Sequence, residues 1–184
     1  MKIRRNTLFV IFAVLTTELA GAAPHPGVTS SLAAPKLGVF RSPHGFEIAA
    51  GASGWVPNPA PNENRHIAVV YKPVASQGSN GGAMLTVRTD TLKKTASLEA
   101  YVKRWSKEYP KFGFDVLGSK PFVQNNERGY VIDLINRDNN RQLRQVVFLK
   151  DKNAVILTCR DQASTFKSTL KSCNEIIRTF RWSL

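Results

Sequence analysis

Two cysteines, Cys159 and Cys173, are the only thiol-bearing residues of the 184-residue chain. They are too few for a four-cysteine zinc site or for a disulfide-dense mini-protein. Neither lies in a motif that marks a catalytic nucleophile, which needs an activating neighbour. Two interpretations therefore stay open: a disulfide between them, which is usual in an oxidising compartment, or two separate buried thiols.

Histidines and carboxylates offer little catalytic chemistry. The three histidines are His25, His44 and His66. None of their spacings is typical of a metal site. Asp133 lies inside an apolar segment, where a buried carboxyl group with a raised pKa could act as a general acid. Alternatively, Asp133 faces solvent or pairs with a cross-strand arginine, for which Arg144 is the candidate. We predict no catalytic, metal or cofactor site, and a small hydrolase that uses Asp133 with a histidine is the alternative function.

Basic residues carry the strongest functional signal. The chain has 26 Lys+Arg against 13 Asp+Glu, a formal net charge of +13. Two groups are candidates for binding an anionic partner: a helical row of Lys103, Lys107 and Lys111, and a strand-turn group of Arg137, Arg141 and Arg144. Such a charge raises encounter rates with lipid headgroups, acidic glycans or nucleic acid, whereas charge spread evenly over the surface would serve solubility alone.

The N-terminal 22 residues have the order of a cleaved secretory signal. A basic segment, Met1–Arg5, precedes the apolar segment Leu8–Leu15, and Ala20-Gly21-Ala22 offers the small residues of a cleavage site. A retained signal anchor is the alternative. Cleavage would remove three basic residues and one acid, so the net charge would fall from +13 to +11. We therefore expect an exported protein, periplasmic or secreted.

Residues 23–37 are predicted as a flexible lead-in, and residues 38–184 as a single domain. Alternating or apolar segments predict its first strands at Phe46–Ala50, His66–Tyr71 and Ala83–Thr89. The loops Gly51–Asn64 and Pro73–Gly82 are the predicted contact edge, because loops on a rigid sheet commonly carry recognition.

Apolar residues at helical spacing predict a helix that has Ser97 as its N-cap and ends at Pro110 and Gly113. Its buried stripe would contain Leu98, Tyr101, Val102, Trp105, Tyr109 and Phe112. If these aromatic residues are buried, they leave no stacking platform for bases. Together with export, this argues against nucleic acid as the partner.

Four antiparallel strands and a closing helix follow. The strands are predicted at Phe114–Phe122, Gly129–Asn136, Arg141–Leu149 and Ala154–Thr158, with short polar turns between them. The last helix would run from about Ala163 to Arg178. A straight helix would carry Cys173 about 15 Å from its start. Pairing with Cys159 therefore predicts a break near Ser168-Thr169.

Several short motifs occur in a recognisable order. They are Gly45-Phe46-Glu47-Ile48, Gly54-Trp55, Ser97-Leu98-Glu99-Ala100-Tyr101, Val155-Ile156-Leu157-Thr158-Cys159 and Ile176-Ile177-Arg178-Thr179-Phe180. In this order the chain resembles the PsbP-like superfamily from about Val39 to Trp182. The sequence departs from that family in lacking a proline before Gly54-Trp55 and in its strong positive charge.

The resemblance implies an α+β fold, an antiparallel sheet with helices on both faces. It also implies a non-catalytic role, since members of the superfamily are mostly extrinsic proteins of membrane complexes, adaptors, chaperones or small binding modules. Because one fold hosts several functions, the partner has to be argued from the site. We expect a monomeric accessory module that engages an envelope protein complex or an anionic membrane or glycan surface.

Overall fold

The computed structural model describes residues 38–60, 64–74 and 82–183. The predicted signal peptide, the lead-in and parts of both predicted contact loops lie outside these residues. No helix in the described ranges is long and apolar enough to span a membrane.

The described residues form ten strands, two α-helices and one 3-10 helix. The strands are β1 (Val39–Ser42), β2 (Phe46–Ala49), β3 (Trp55–Pro59), β4 (Ile67–Pro73), β5 (Met84–Thr91), β6 (Asp115–Gln124), β7 (Glu127–Asn136), β8 (Arg141–Lys150), β9 (Asn153–Gln162) and β10 (Arg181–Trp182). The helices are α1 (Leu98–Ser106), the 3-10 helix Tyr109–Phe112, and α2 (Phe166–Ile177).

The strands form two antiparallel sheets and not the one central sheet expected. Three strands pair in the order β1-β2-β10, and seven in the order β3-β4-β5-β9-β8-β7-β6. The mostly β character with two helices agrees with the predicted α+β class. The sheets separate because β2 pairs with β1 and β10, through Val39↔Ala49 and Trp182↔Phe46, and not with β3.

Strand β3 occupies the middle of the predicted loop Gly51–Asn64, which is a correction. Its two prolines, Pro57 and Pro59, hid it from sequence analysis because proline is excluded from central strands. Among the described residues, β3 is an edge strand that pairs with β4 alone, so a strand position without an N–H donor is tolerated. The predicted strands from β4 to β9 are present, most of them a few residues longer than expected.

Buried residues form two clusters, which we name after the helix that each contains. The α2 cluster includes Phe46, Ile48, Tyr71, Leu85, Phe148, Val155, Leu157, Cys159, Phe166, Cys173, Ile176 and Phe180. The α1 cluster is formed by Tyr101, Val102, Tyr109, Ile132, Leu134, Val147, Ala154 and Ile156. The α2 cluster contains residues of both sheets, so apolar burial joins the three-stranded sheet to the seven-stranded one.

The structure contains the disulfide Cys159–Cys173, with Cα atoms 6.0 Å apart and both residues fully buried. The predicted helix break near Ser168-Thr169 is wrong, because α2 is continuous. Strand β9 continues three residues beyond Cys159, about 10 Å. From its start, α2 then returns seven residues to Cys173, also about 10 Å. The two cysteines therefore meet without a break in the helix.

Helix α1 begins as predicted, since the Ser97 hydroxyl accepts the N–H of Ala100 at 3.1 Å. It ends earlier than predicted, at Ser106, and a 3-10 helix follows. That tighter winding, three residues per turn, moves Phe112 off the buried stripe. Phe112 is 61% exposed, so its predicted burial is wrong. Gly113 closes the segment in the left-handed region, at φ 78°.

Candidate functional site

Trp105 of α1 has two guanidinium groups close to its ring. The Cζ atom of Arg88, from β5, is 5.4 Å from the centroid of the indole ring, and that of Arg104 is 5.8 Å away. Both distances are within the range of cation–π attraction. Arg88 and Asp90 are two residues apart on β5, so their side chains point to the same side of the sheet. That side faces α1, because Asp90 accepts a hydrogen bond from Tyr101. The ring thus holds two cations at the surface of the α1 cluster.

Two buried tyrosines of the α1 cluster form hydrogen bonds close to Trp105. The Tyr101 hydroxyl donates to Asp90 Oδ2 at 3.0 Å, and the Tyr109 hydroxyl donates to Gln145 Oε1 at 2.5 Å. Burial raises the pKa of Tyr101 to about 12, and the nearby Asp90 carboxylate adds to that rise. Burial also raises the pKa of Tyr109. Both tyrosines therefore stay neutral and hydrogen-bonded at physiological pH, and Asp90 is occupied by a hydroxyl group.

The other acids near α1 are taken up by ion pairs. Glu99 pairs with Arg128 at 3.0 Å, and Glu108 pairs with Lys111 at 2.9 Å. Six cations close to α1 make no ion pair with any described residue: Arg88, Lys93, Lys94, Lys103, Arg104 and Lys107. We call this set the α1 basic surface. The Asp90 carboxylate is the acid that lies among these cations, so positive charge is in excess here.

Two cavities border α1. The larger, about 660 Å³, is lined by Lys93, Lys94, Arg104 and Tyr101 among others. The smaller, about 280 Å³, is lined by Arg88, Trp105, Tyr109, Phe112, Phe114, Leu134, Leu143 and Gln145. Both cavities are therefore lined by cationic and aromatic groups together. Such a surface can hold anionic groups beside apolar ones.

The predicted lysine row is exposed, as the helical spacing required, but only part of it is unpaired. Lys103 and Lys107 make no ion pair with described residues, whereas Lys111 is bound to Glu108. The row therefore contributes two of its three charges to the α1 basic surface.

The predicted arginine group does not form one patch, which is a correction. Arg137 pairs with Asp115 at 2.6 Å. Arg141 and Arg144 are three residues apart on β8, so their side chains point to opposite sides of the sheet. Sequence proximity in a strand does not place side chains on one surface.

Asp133 and Arg144 form the predicted cross-strand pair. They are register partners on β7 and β8, and the guanidinium donates to both carboxylate oxygens, at 2.7 and 2.8 Å. The adjoining cavity, about 310 Å³, has no histidine among its lining residues. His66 precedes β4, four strands away from β7, or about 19 Å at the usual strand spacing. The structure therefore does not bring Asp133 and His66 together.

Metal-binding side chains in the described part of the chain do not cluster either. Within the described ranges, no group of three His, Cys, Asp or Glu residues could hold an ion. His44 lies in the turn between β1 and β2, and the cysteines are joined to each other.

Four cations of the site were missed by sequence analysis: Arg88, Lys93, Lys94 and Arg104. Alternation along β5 places Arg88 and Asp90 on one side of that strand, but no pattern shows that this side faces Trp105. Which cations form ion pairs likewise depends on tertiary contacts. Glu99 of α1, for example, pairs with Arg128 of β7.

Comparison with known proteins shows the fold. No family model and no curated protein matches the chain. The solution structure of cyanobacterial PsbP from Synechocystis sp. PCC 6803 superposes with a TM-score of 0.59 at 12% identity, covering 85% of this chain and 98% of the other. The fold is PsbP-like. A Pseudomonas aeruginosa protein of unknown function gives a TM-score of 0.48 at 16% identity, covering 68% and 94%.

At this identity the PsbP-like likeness covers the fold and not the chemistry. It agrees with the resemblance drawn from the order of the motifs. Function has to be argued from the α1 basic surface itself.

Proposed function

We propose that this chain is an exported, non-catalytic binding module that engages an anionic surface, membrane or glycan, through the α1 basic surface. The observation that carries the proposal is the set of six cations close to α1 that make no ion pair with described residues, where Glu99 and Glu108 are already paired with Arg128 and Lys111. An envelope protein complex with an acidic face is the alternative partner. Nucleic acid and a transmembrane anchor in the mature chain are not part of the proposal, and the module is expected to be a monomer.

The arrangement of cations supports binding over mere solubility. Charge that serves solubility is interspersed in sign over the surface. Here the acids of α1 are taken by Arg128 and Lys111, which leaves positive charge on one surface. Fixed cations on a rigid helix attract an anionic surface over about a Debye length, roughly 8–10 Å.

Export is supported by the N-terminal pattern and by the disulfide. Disulfides persist in oxidising compartments and are rare in the cytosol. The protein of similar fold named as PsbP is consistent with an accessory role, although that likeness carries no partner across.

The proposal includes helices on opposite faces of the seven-stranded sheet. Along β9, Val155 and Leu157 belong to the α2 cluster, whereas Ala154 and Ile156 belong to the α1 cluster. Consecutive strand residues point to opposite sides. On this arrangement the α1 basic surface and the exposed side of α2 face away from each other, so one side can bind while the other stays free.

A salt series tests the proposal. The chain from residue 23 onward is titrated with phosphatidylglycerol vesicles, phosphatidylcholine vesicles and a sulfated glycan, in about 50 and then 200 mM salt. An electrostatic binder loses affinity steeply over this range, by tenfold or more. Binding to phosphatidylcholine as tight as to phosphatidylglycerol, or no binding to either anionic material, would contradict the proposal. A partner from an envelope extract that survives high salt would favour the protein complex instead.

The hydrolase alternative has its own test. Since both oxygens of Asp133 are engaged by Arg144, Asp133→Ala should lower stability and leave anion binding intact. A hydrolytic activity of the wild-type protein that this substitution abolishes would replace the binding module with an enzyme.

A further inference from the structure

Arg141 of β8 and Arg160 of β9 are neighbours on the same side of the seven-stranded sheet. In the antiparallel register, Leu143 lies opposite Arg160, and Gln162 lies opposite Arg141. Arg141 is therefore diagonal to Arg160, a relation in which Cα atoms are about 7–8 Å apart. By alternation along β9, Arg160 also shares its side with Ala154 and Ile156 of the α1 cluster. Two arginine side chains at this spacing can reach one common point.

Both arginines are half-buried. Arg160 lies between Leu143 on one neighbouring strand and Met84 on the other, and Met84 is only 6% exposed. Burial lowers the pKa of the Arg160 guanidinium, and the positive charge of Arg141 lowers it further. The charge of Arg160 is therefore held in a partly apolar setting, with a like charge close by.

No acid in the described part of the chain compensates the pair. Asp161 is adjacent in sequence but points to the other side of β9, where it accepts the Thr169 hydroxyl at 2.5 Å. Asp138, in the turn between β7 and β8, makes no ion pair with any described residue. Partly desolvated charges in proteins are normally paired with an opposite charge. Arg141 and Arg160 have no such partner among the described residues.

We propose that Arg141 and Arg160 form a binding site for one oxyanion group: phosphate, sulfate or carboxylate. Guanidinium groups present planar forks of N–H donors that match such oxygens two at a time. The site is separate from the α1 basic surface, and it goes beyond the proposed function because it predicts recognition of a single group and not of a charged surface. The oxyanion could be a free ion or a lipid headgroup, and the chemistry of the site is the same for both.

Thermal unfolding in phosphate tests the site. The midpoint of the wild-type protein is measured from zero to 10 mM sodium phosphate, with chloride adjusted so that ionic strength is constant. We expect a saturable rise of the midpoint, since a ligand of the folded state stabilises it by mass action. Arg141→Gln and Arg160→Gln should lose most of this rise, with apparent affinity at least tenfold weaker. The control Arg65→Gln, an exposed arginine elsewhere, should behave as wild type.

A second readout separates a ligand site from a structural role. Without phosphate and at low ionic strength, each glutamine variant should unfold at or above the wild-type midpoint, because a like-charge neighbour has been removed. Arg160→Lys keeps the positive charge but loses the planar set of N–H donors, so it should bind phosphate more weakly than wild type. This variant also provides the test if a glutamine variant does not fold. The inference is overturned by the absence of a saturable rise in wild type, or by an equal rise in all variants.

The source of the oxyanion is distinguished with vesicles of phosphatidylglycerol. If Arg141→Gln and Arg160→Gln weaken both phosphate and vesicle binding, the group is a lipid headgroup. If they weaken phosphate binding alone, it is a free ion, and the site stands. Failure of wild type to bind vesicles while phosphate still binds would contradict the proposed membrane partner and leave the arginine site intact.

Discussion

The α2 cluster and the α1 cluster use aromatic residues in different ways. In the α2 cluster the rings contact one another: Phe148 and Phe180 stack with centroids 4.1 Å apart, and Phe46 and Trp182 pack against Phe180. In the α1 cluster the aromatic groups contact polar partners: Tyr101 bonds to Asp90, Tyr109 bonds to Gln145, and Trp105 lies within 6 Å of two guanidinium groups. One set fills space, and the other holds polar groups in place.

This difference indicates a division of labour. The α2 cluster contains the disulfide and the fully buried side chains that join both sheets, so it supplies most of the apolar burial. The α1 cluster is smaller and supports cations that have no ion pair among the described residues. Stability should therefore depend on the first region and anion binding on the second. The following predictions test that separation.

The largest effect is expected from Phe180→Ala. Phe180 is fully buried and touches three other rings, so its loss should lower the free energy of unfolding by about 3–5 kcal/mol. The control is Phe112→Ala, at the exposed residue of the 3-10 helix, which should change stability by less than about 0.5 kcal/mol. Urea denaturation measures both. Similar losses for the two variants would remove the distinction between the regions.

Removal of the disulfide comes next. In Cys159→Ala/Cys173→Ala the closed loop, with a sequence separation of 14, is opened. The free energy of unfolding should fall by about 3 kcal/mol. Binding to anionic vesicles under native conditions should stay within about twofold of wild type. A large loss of binding in a variant that is still folded would mean that the two regions are coupled.

Alkaline pH should act on both regions through buried tyrosines. Burial raises the pKa of Tyr71 and of Tyr101 to about 12, against about 10 in the unfolded chain. The folded state therefore holds protons that the unfolded state has lost, and stability falls as pH rises from about 10 to 12. Each tyrosine should account for about 1 kcal/mol by pH 11. Unfolding at pH 9 and pH 11 measures the fall.

The variant Tyr101→Phe tests the contribution of the α1 cluster to this pH dependence. It should flatten the alkaline fall by about a third and leave the contributions of Tyr71 and Tyr109 in place, because burial raises the pKa of all three tyrosines. An unchanged slope would mean that Tyr101 ionises freely in the folded protein.

The smallest effect distinguishes the two helix starts. Ser97 caps α1 with its side chain, so Ser97→Ala should cost about 1 kcal/mol. Thr165 precedes α2 without a capping bond from its side chain, so Thr165→Ala should cost only a few tenths of a kcal/mol. Equal costs in thermal unfolding would contradict the assigned caps.

Local patterns predicted much of the fold. The alternation and turn residues of β6 to β9 are short-range signals, and so is the cap at Ser97. Strand β3 was missed because its prolines argue against a central strand, and the sequence alone does not show that β3 lies at the edge of the sheet. The continuity of α2 was missed because the sequence does not show how far β9 runs beyond Cys159.

The site was less predictable than the fold. The exposure of Lys103 and Lys107 followed from helical spacing, and the pair Asp133–Arg144 followed from strand register. The α1 basic surface depends on which cations find an acid in the folded chain. Arg144 forms an ion pair with Asp133, whereas Arg141, on the other side of the same strand, forms no ion pair with a described residue. That outcome depends on pairing between strands, which one sequence does not specify.

The most direct test of the account is a pair of matched charge reversals. Lys103 and Lys107 lie one turn apart at α1, and Lys167 and Lys171 lie one turn apart on α2; all four are exposed. Lys103→Glu/Lys107→Glu and Lys167→Glu/Lys171→Glu change the net charge equally. Binding of each folded variant to phosphatidylglycerol vesicles is measured at about 50 mM salt. Since each basic residue near an anionic membrane contributes about 1 kcal/mol, the α1 variant should bind roughly 30-fold more weakly or worse, and the α2 variant within about threefold of wild type. Equal losses would show that net charge alone drives binding and would contradict the assignment of the α1 basic surface.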